Sequence, residues 1–391
     1  MISHYGLWRE VLLLVAAVPL IYYVIAICVA FRFFRRNKVQ TNSDYTPSAS
    51  LLKAVHGVDF GSYENFASFC KQDYPEYEVL FAVNDEKDPA LPLIRQIMAE
   101  FPQKRIRVFT AAVELGANRK VNKLAMLARE AQYDVLVLTD GDVRVDPGYL
   151  RQVIAPLRDK KTGGVTSFYR AIAQDNFGAK VEAIGAASDF FAGVLMAQWK
   201  EGVRFALGAS IVTTKEWIGK IGGVEVLADT LADDYELGLR IAKAGGEIVL
   251  SHEPVWTMYP AQTFSGFWDH QLRWARTVRL CRPLSYLGLL FTQGLPWTLL
   301  GILLAPASWI AGAYLAAYLI LRLAMAWLVG VWGVGDEVLR KNLWLIPIRD
   351  AVYFVVWLAS FASNRVRWNS VEYAIQEGRM VPITGHKKAA P

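Results

Sequence analysis

Chemistry is most concentrated where two aspartates, one residue apart, follow an apolar run. Val135-Leu136-Val137-Leu138-Thr139-Asp140-Gly141-Asp142 reads as a short buried strand ending in two carboxylates. In open α/β sheets, ligands sit outside the carboxyl ends of the strands. Gly141 is expected to let the backbone turn tightly enough for both carboxylates to reach one ion. Hard oxygen ligands in ones or twos, with substrate phosphates completing the shell, suit Mg²⁺ or Mn²⁺. A plain polar turn after a strand is the alternative.

Other chemical groups fall at comparable places. The run from Tyr77 to Val83 meets Asn84-Asp85, a second carboxylate at a strand end. Asp85 can face the same crevice as Asp140, or serve as a cap or turn residue before Pro89. Gly116-Ala117-Asn118-Arg119-Lys120-Val121-Asn122-Lys123 sets a glycine and several donors just ahead of a helix. Such a loop can hold a diphosphate by charge and by backbone N–H groups, or be an ordinary solvated loop. Its glycine spacing is not that of a P-loop. Gly208-Ala209-Ser210 are small enough to let a ligand approach the backbone. Asp233 and Asp234 open a helix running to about Ala244. One acid there would be enough to complement the helix dipole; this helix has two. From Phe264 onward, Phe267, Trp268, Leu272 and Trp274 interleave with His270, Arg273, Arg276, Arg279 and Arg282. That is the pattern of an interfacial helix, with aromatics toward lipid and cations toward headgroups or phosphates.

These groups need a scaffold. Strand-like runs at Leu51–Val55, Tyr77–Val83, Ile106–Phe109 and Asp134–Thr139 alternate with helix-like runs at Tyr63–Gln72, Pro89–Phe101 and Asn122–Glu130. The alternation predicts an α/β fold, a mostly parallel sheet covered by helices. Further strands are expected at Gly163–Phe168 and Val255–Tyr259, and a long helical stretch at Asn176–Lys200.

The chain has 391 residues, 54% of them hydrophobic, with 13 Trp and a net charge of +6. The apolar residues concentrate toward the two ends, which points to lipid, and the basic residues cluster beside them. That charge pattern suits an anionic membrane face rather than nucleic acid. Val11 to Phe31 is long enough to cross a bilayer, and Arg32, Arg35, Arg36 and Lys38 follow it. The positive-inside rule then places the next domain in the cytoplasm, behind an uncleaved anchor. Leu284 to Val334 can supply two spans hinged near Ala305-Pro306. Leu343 to Ser363 carries Arg349-Asp350 at its centre, and a central charge costs roughly 2.5 to 3.5 kcal/mol on insertion scales. That segment is therefore expected to be a span with a paired charge or a re-entrant helix. The three cysteines, Cys28, Cys70 and Cys281, lack metal-ligand spacing and fit a reducing compartment. The expected division is an anchor at 1–35, a cytoplasmic catalytic domain at 36–260 and an interfacial helix at 261–283. Transmembrane or re-entrant helices follow at 284–363, then a tail at 364–391 with a hairpin near Glu377-Gly378.

Taken together, these positions resemble the processive-type inverting glycosyltransferases of the GT-A fold and, more closely, the ceramide glucosyltransferase family. The resemblance rests on Asp85, on Asp140 with Asp142, on Asp234, and on His270-Gln271-Leu272-Arg273-Trp274 ahead of the C-terminal apolar region. It also rests on the Gly116, Asn118, Lys120 and Leu124 element. His270 stands where the family has Gln or Arg, and Arg119 stands where the ceramide enzymes usually have Pro. Bacterial relatives that glycosylate hopanoid lipids share much of the pattern.

The resemblance implies a Rossmann-like GT-A catalytic domain with N-terminal and C-terminal membrane helices, in a bacterial inner membrane. It implies transfer of one sugar from a UDP-sugar, UDP-glucose above all, to a lipid hydroxyl, with ceramide as acceptor. Transfer of N-acetylglucosamine to a hopanoid or other lipid alcohol is an alternative. A polysaccharide synthase is another, and a lipid-binding scaffold without activity a third. Asp140 and Asp142 would hold Mg²⁺ or Mn²⁺ against the leaving diphosphate. Asp85 would bind the uridine; Asn118, Lys120, Asp140, His270, Arg273 and Trp274 would also serve the donor. Asp234 would take the proton from the acceptor hydroxyl, with Asp233 as its rival.

Overall fold

The computed structural model describes residues 4–35, 44–110, 113–368, 371–376 and 379–383. The chain divides into two compact units. One comprises residues 37–172, 201–260 and 367–391; the other comprises 1–36, 173–200 and 261–366.

The first unit is built on an eight-stranded sheet. In chain order its strands are β1 (Ala49–Ala54), β2 (Tyr77–Ala82), β3 (Arg105–Phe109), β4 (Val135–Asp140), β5 (Val143–Arg144), β6 (Thr162–Ala173), β7 (Ser210–Thr214) and β8 (Glu247–Tyr259). Their order across the sheet is β3-β2-β1-β4-β7-β6-β8-β5. β3, β2, β1 and β4 run parallel, and Val79, Leu80, Phe81, Leu51, Leu52 and Val137 are buried. Continuous apolar runs of this kind mark parallel strands covered on both faces. Beyond β4 the sheet changes character. β7 lies antiparallel to β4, β6 antiparallel to β7, and β5 antiparallel to β8. The expectation of a mostly parallel sheet thus holds for four strands and fails for the rest. The strands that depart from it pair with partners distant in sequence, β4 with β7 and β5 with β8, so the short-range alternation of strands and helices does not set their direction.

The strand order reverses between β1 and β4, so the crevice beyond their carboxyl ends is the switch point of the fold. Register pairs Lys53 with Thr139 and Ala54 with Asp140. The helix after β3 begins at Arg119, earlier than the apolar periodicity suggests, because Asn118 caps it by accepting from the N–H groups of Lys120 and Val121. In the tail, 371–376 pairs antiparallel with 379–382. The expected turn residues, Glu377 and Gly378, lie outside the described residues.

In the other unit, Leu7–Arg35, Ser308–Val334 and Leu343–Ser360 are long and apolar enough to cross a membrane. Pro283–Thr292 and Gly294–Leu304 meet at 48° and would make a fourth crossing if they act as one broken span. The long helical stretch is present as Phe177–Gly185 and Phe191–Glu201, joined by one widened π turn at Ala186–Phe190. The helix expected at an interface is Phe264–Cys281, capped by Thr263.

Candidate active site

Lysine and aspartate side chains from four segments of the sheet unit meet at the switch point. Asp140 ends β4 and Asp142 follows it. Lys120 lies in the first turn of the helix Arg119–Glu130, and Asp233 and Asp234 open the helix Asp233–Lys243. The Lys120 ammonium bridges two of these acids, 2.5 Å from Asp140 Oδ1 and 3.3 Å from Asp233 Oδ2. Burial works against its charge, but Asp140, Asp233 and Asp234 outweigh that and hold it protonated well above the usual lysine range.

Gly208 shows how closely the acids converge. A Cβ on Gly208 would lie 3.0 Å from Asp234 Oδ2 and 3.5 Å from Asp140 Oδ2. One side-chain-sized position therefore touches both carboxylates, and a glycine leaves it open. Gly238 brings the elements together. A Cβ there would come within 2.4 Å of the Phe205 and Ala206 backbone, so the Asp233–Lys243 helix packs directly on the segment leading to Gly208.

The paired aspartates differ in their attachments. Asp233 is engaged by Lys120 and by Asn118 Nδ2, 3.3 Å from its Oδ1. Asp234 Oδ1 accepts from the Tyr235 N–H at 2.8 Å, and its Oδ2 faces the Gly208 position. Burial, and after it the Asp233 charge, raise the Asp234 carboxyl to about 6, with Lys120 opposing. Asp142 is pushed up to about 7, first by burial and then by Asp140, with Lys53 and Lys120 opposing. A carboxyl this reluctant to ionise beside a second carboxylate is a place where a cation relieves repulsion. Among the described residues no group of three His, Cys, Asp or Glu side chains is set to hold an ion. Two carboxylates alone leave most of a divalent ion's shell to phosphate and water.

Lys53 was not singled out by the sequence reasoning. It is fully buried within β1, and its ammonium donates to the Asp140 carbonyl at 2.9 Å, Thr139 Oγ1 at 3.3 Å and the Val143 carbonyl at 3.4 Å. It lies 3.8 Å from the centre of the Phe69 ring. Burial brings its pKa down to about 7, against the pull of Asp142 and Asp140. Lys53 therefore ties both ends of the Asp140-Gly141-Asp142 turn. The signal was available: one cation inside the apolar run Leu51-Leu52-Lys53-Ala54-Val55. By contrast, Gly141 is not needed for conformation. It has no left-handed φ, and a Cβ there would meet only ordinary contacts of 3.6 Å and beyond.

The Gly116 loop is fastened down. A Cβ on Gly116 would clash with Asp229 Oδ1 at 2.5 Å and the Ala228 carbonyl at 2.6 Å, so here glycine is required for close approach. The Ala117 N–H donates to Asp229 Oδ1, the Asn118 N–H to the Ala228 carbonyl, and Asn118 Nδ2 to the Thr230 carbonyl. Asn118, expected to touch a donor, is buried, and its side chain caps the helix and braces Thr230 and Asp233. Lys123 is also turned inward, donating to the Val55 carbonyl at 2.7 Å. Asp85 is exposed, and its Oδ1 accepts from the Lys87 N–H at 2.7 Å. Three residues on, Asp88 is buried and accepts from the N–H groups of Gly57 and Ala90.

His270, Arg273 and Trp274 belong to the other unit, on the helix Phe264–Cys281. His270 Nδ1 is 2.6 Å from Glu182 Oε1, and Glu182 also accepts from Gln262 Nε2 at 2.6 Å. Burial pushes the Glu182 carboxyl up, but His270, Gln262 and Arg273 together leave it below its usual range. Trp274 packs against Phe190 edge-on at 6.1 Å and against His270 at 5.6 Å.

The profile of Glycosyl transferase family 21 matches residues 11–381. The chain belongs to glycosyl transferase family 21. Two similar relatives are ceramide glucosyltransferases 3 and 1 of Caenorhabditis elegans. They are 25% identical over 258 residues and 24% identical over 260 residues, in each case 66% of this chain and 56% of the relative. The chain thus spans about half the length of the curated relatives it matches. Among solved structures, a mannosyltransferase from Pyrobaculum calidifontis in complex with GDP-Man and Mn²⁺ superposes with a TM-score of 0.55. It is 17% identical and covers 90% of this chain and 97% of its own. That likeness shows a common fold for this family 21 chain.

Proposed function

We propose that the protein is an inverting membrane glycosyltransferase that moves one glucose from UDP-glucose to the hydroxyl of a lipid, with ceramide as acceptor. Family membership and the ceramide glucosyltransferase relatives support the reaction class. The observation that carries the proposal is the convergence at Gly208, where Asp234 Oδ2 and Asp140 Oδ2 lie 3.0 and 3.5 Å from the position of its missing Cβ and Lys120 reaches Asp140.

In this mechanism Asp234 is the general base. Its Oδ2 is not tied to a lysine, whereas Asp233 is neutralised by Lys120 and held by Asn118. A base works best when its pKa lies near the working pH, and about 6 is closer to that than an ordinary aspartate. Deprotonating the acceptor hydroxyl drives its oxygen onto the anomeric carbon as the bond to the diphosphate breaks. Displacement in one step inverts that centre. Lys120 supplies positive charge to the leaving diphosphate once it leaves Asp140, and Asp85 binds the uridine. Mg²⁺ or Mn²⁺, held by Asp140 and Asp142, would neutralise the charge that develops on the diphosphate. Lys53 fixes the turn that carries both acids. Arg273 and Trp274, with His270 steadied by Glu182, serve the donor from the interfacial helix.

The apolar helices hold the protein in the bilayer where a lipid acceptor resides. The basic residues after the first span support a cytoplasmic side for the sheet unit. Protease added outside sealed cells should leave residues 53–282 intact, and cleavage there would refute that orientation. The reaction itself is tested by UDP release from UDP-glucose. Release should require a lipid alcohol and stop in excess EDTA or in Asp142→Ala. Full turnover in EDTA would remove the metal from the mechanism.

A further inference from the structure

The membrane unit contains a second charged cluster that the sugar-transfer chemistry does not use. Arg322, 1% exposed, lies in the middle of the span Ser308–Val334. Its Nε donates to Asp350 Oδ2 at 3.0 Å and its Nη2 to Asp350 Oδ1 at 2.8 Å, a two-pronged contact. Tyr318 adds its hydroxyl to Asp350 Oδ2 at 2.8 Å. The other side of Arg322 Nη2 meets Asp189 and Ser188 on the π turn. Arg349, next in sequence to Asp350 and 5% exposed, lies 4.8 Å from the centre of the Tyr353 ring. Its guanidinium presses on bare backbone: a Cβ on Gly185 would sit 2.2 Å from Arg349 Nε. Gly185 is one helical turn before Asp189 and three residues after Glu182, the partner of His270. Glu182, Gly185 and Asp189 thus follow one another along one face of the Phe177–Glu201 helical stretch.

The cluster is balanced in charge but incomplete in hydrogen bonds. Two arginines face two aspartates. Yet Arg349 Nε and Nη1, Arg322 Nη1 and Asp189 Oδ2 are buried with no hydrogen-bond partner among the described residues. Unpaired buried polar groups are costly, and ionisable groups within membrane segments mark functional sites. A π turn such as the one carrying Asp189 is frequent at such places.

We propose that Arg349 and Asp189 form the seat for the polar headgroup of a neutral lipid that carries both a hydrogen-bond acceptor and a donor. A hydroxy-amide or a hydroxy-ester headgroup fits that description. Its carbonyl would take the free guanidinium N–H groups, and its O–H or N–H would go to Asp189 Oδ2. A phosphate diester would satisfy the arginine only. It would add negative charge beside Asp189 and Asp350, as would the phosphate monoester of a phosphatidic acid. Because the cluster is neutral, it selects a neutral headgroup. The inference rests on the lipid-acceptor reading above and adds the residues that would hold the headgroup.

The test uses the full chain in phosphatidylcholine nanodiscs, each doped with one photoactivatable probe. The probes are a short-chain ceramide, a diacylglycerol and a phosphatidic acid. Saturable labelling of residues 177–201 or 346–360 by the two neutral probes, with phosphatidic acid at least tenfold weaker, is expected. Arg349→Met and Gly185→Ala, which displaces the guanidinium, should each cut that labelling at least tenfold. UDP-glucose affinity, measured by calorimetry, should stay unchanged. If either variant fails to fold, Arg349→Lys and Asp189→Asn, which keep size, should still weaken labelling severalfold. Equal labelling of variants and wild type, no labelling of the wild type by neutral probes, or equal labelling by phosphatidic acid would each overturn the proposal. Labelling needs no turnover, so this failure is distinct from failure of sugar transfer, which appears as absent UDP release.

Discussion

The two charged clusters of this protein obey opposite rules. At the switch point of the sheet, four carboxylates face two lysines, with Lys120 bridging and Lys53 beneath the turn. In the membrane unit, two aspartates face two arginines, one of them in a two-pronged contact. Lysine is a point charge that moves between partners, whereas the arginine fork is fixed by geometry. The first cluster carries surplus negative charge, as the proposed cation and diphosphate roles require. The second is balanced in charge, which is why a neutral polar group is proposed for it. Charge balance, more than burial, distinguishes the two clusters.

The largest expected effect falls on the first cluster. Asp234→Asn keeps the size and much of the capping ability of the side chain but removes its basicity. Turnover should fall by roughly 10² to 10⁴, the usual worth of a general base, with near-normal UDP-glucose affinity in calorimetry. Asp233→Asn should keep most of its turnover. Reversal of the two results would make Asp233 the base.

In the second cluster the same kind of change should strike folding. Arg322→Met leaves Asp189 and Asp350 without their shared cation. Breaking a buried ion pair on one side costs about 3 to 5 kcal/mol, read as a lowered thermal midpoint of the purified protein. Unchanged stability would mean that the arginine is not the structural tie described.

A smaller effect comes from pH. Asp234 acts as a base only when deprotonated, and its pKa is raised to about 6. Turnover should therefore drop about tenfold per unit as the pH falls below 6, and level off above it. The pH profile of Asp234→Asn should lose that limb. Smallest of all, Asn118→Ala removes the cap of the Arg119–Glu130 helix and should cost about 0.5 to 2 kcal/mol of stability. Denaturant unfolding would measure it.

Much of this architecture is legible in the amino-acid sequence. Continuous apolar runs mark β1, β2 and β4, because strands covered on both faces carry no alternation. The antiparallel half is less legible, since strand direction depends on pairing partners distant in sequence, such as β4 with β7. Asp140, Asp142 and Asp234 stand out by type and position. The roles of Gly141 and Asn118 do not follow from type alone. Gly141 turns without a left-handed backbone, and Asn118 faces the helix start and Thr230. Lys53 and the Glu182–His270 pair are tertiary facts: each joins residues dozens of positions apart. Arg322 and Arg349-Asp350 are visible as charges in apolar runs, but Asp189 as their partner is not.

The most direct test of sugar transfer is the product itself. Purified full-length protein in nanodiscs, given UDP-glucose, ceramide and Mg²⁺ or Mn²⁺, should yield a lipid bearing one glucose. Its mass is read by mass spectrometry and its linkage by the anomeric proton coupling in NMR. A single sugar is expected, with the anomeric centre inverted from the α-linked donor to a β-glycoside, and absent with Asp234→Asn. An α-glycoside, a chain of several sugars, or an undiminished yield from Asp234→Asn would contradict it.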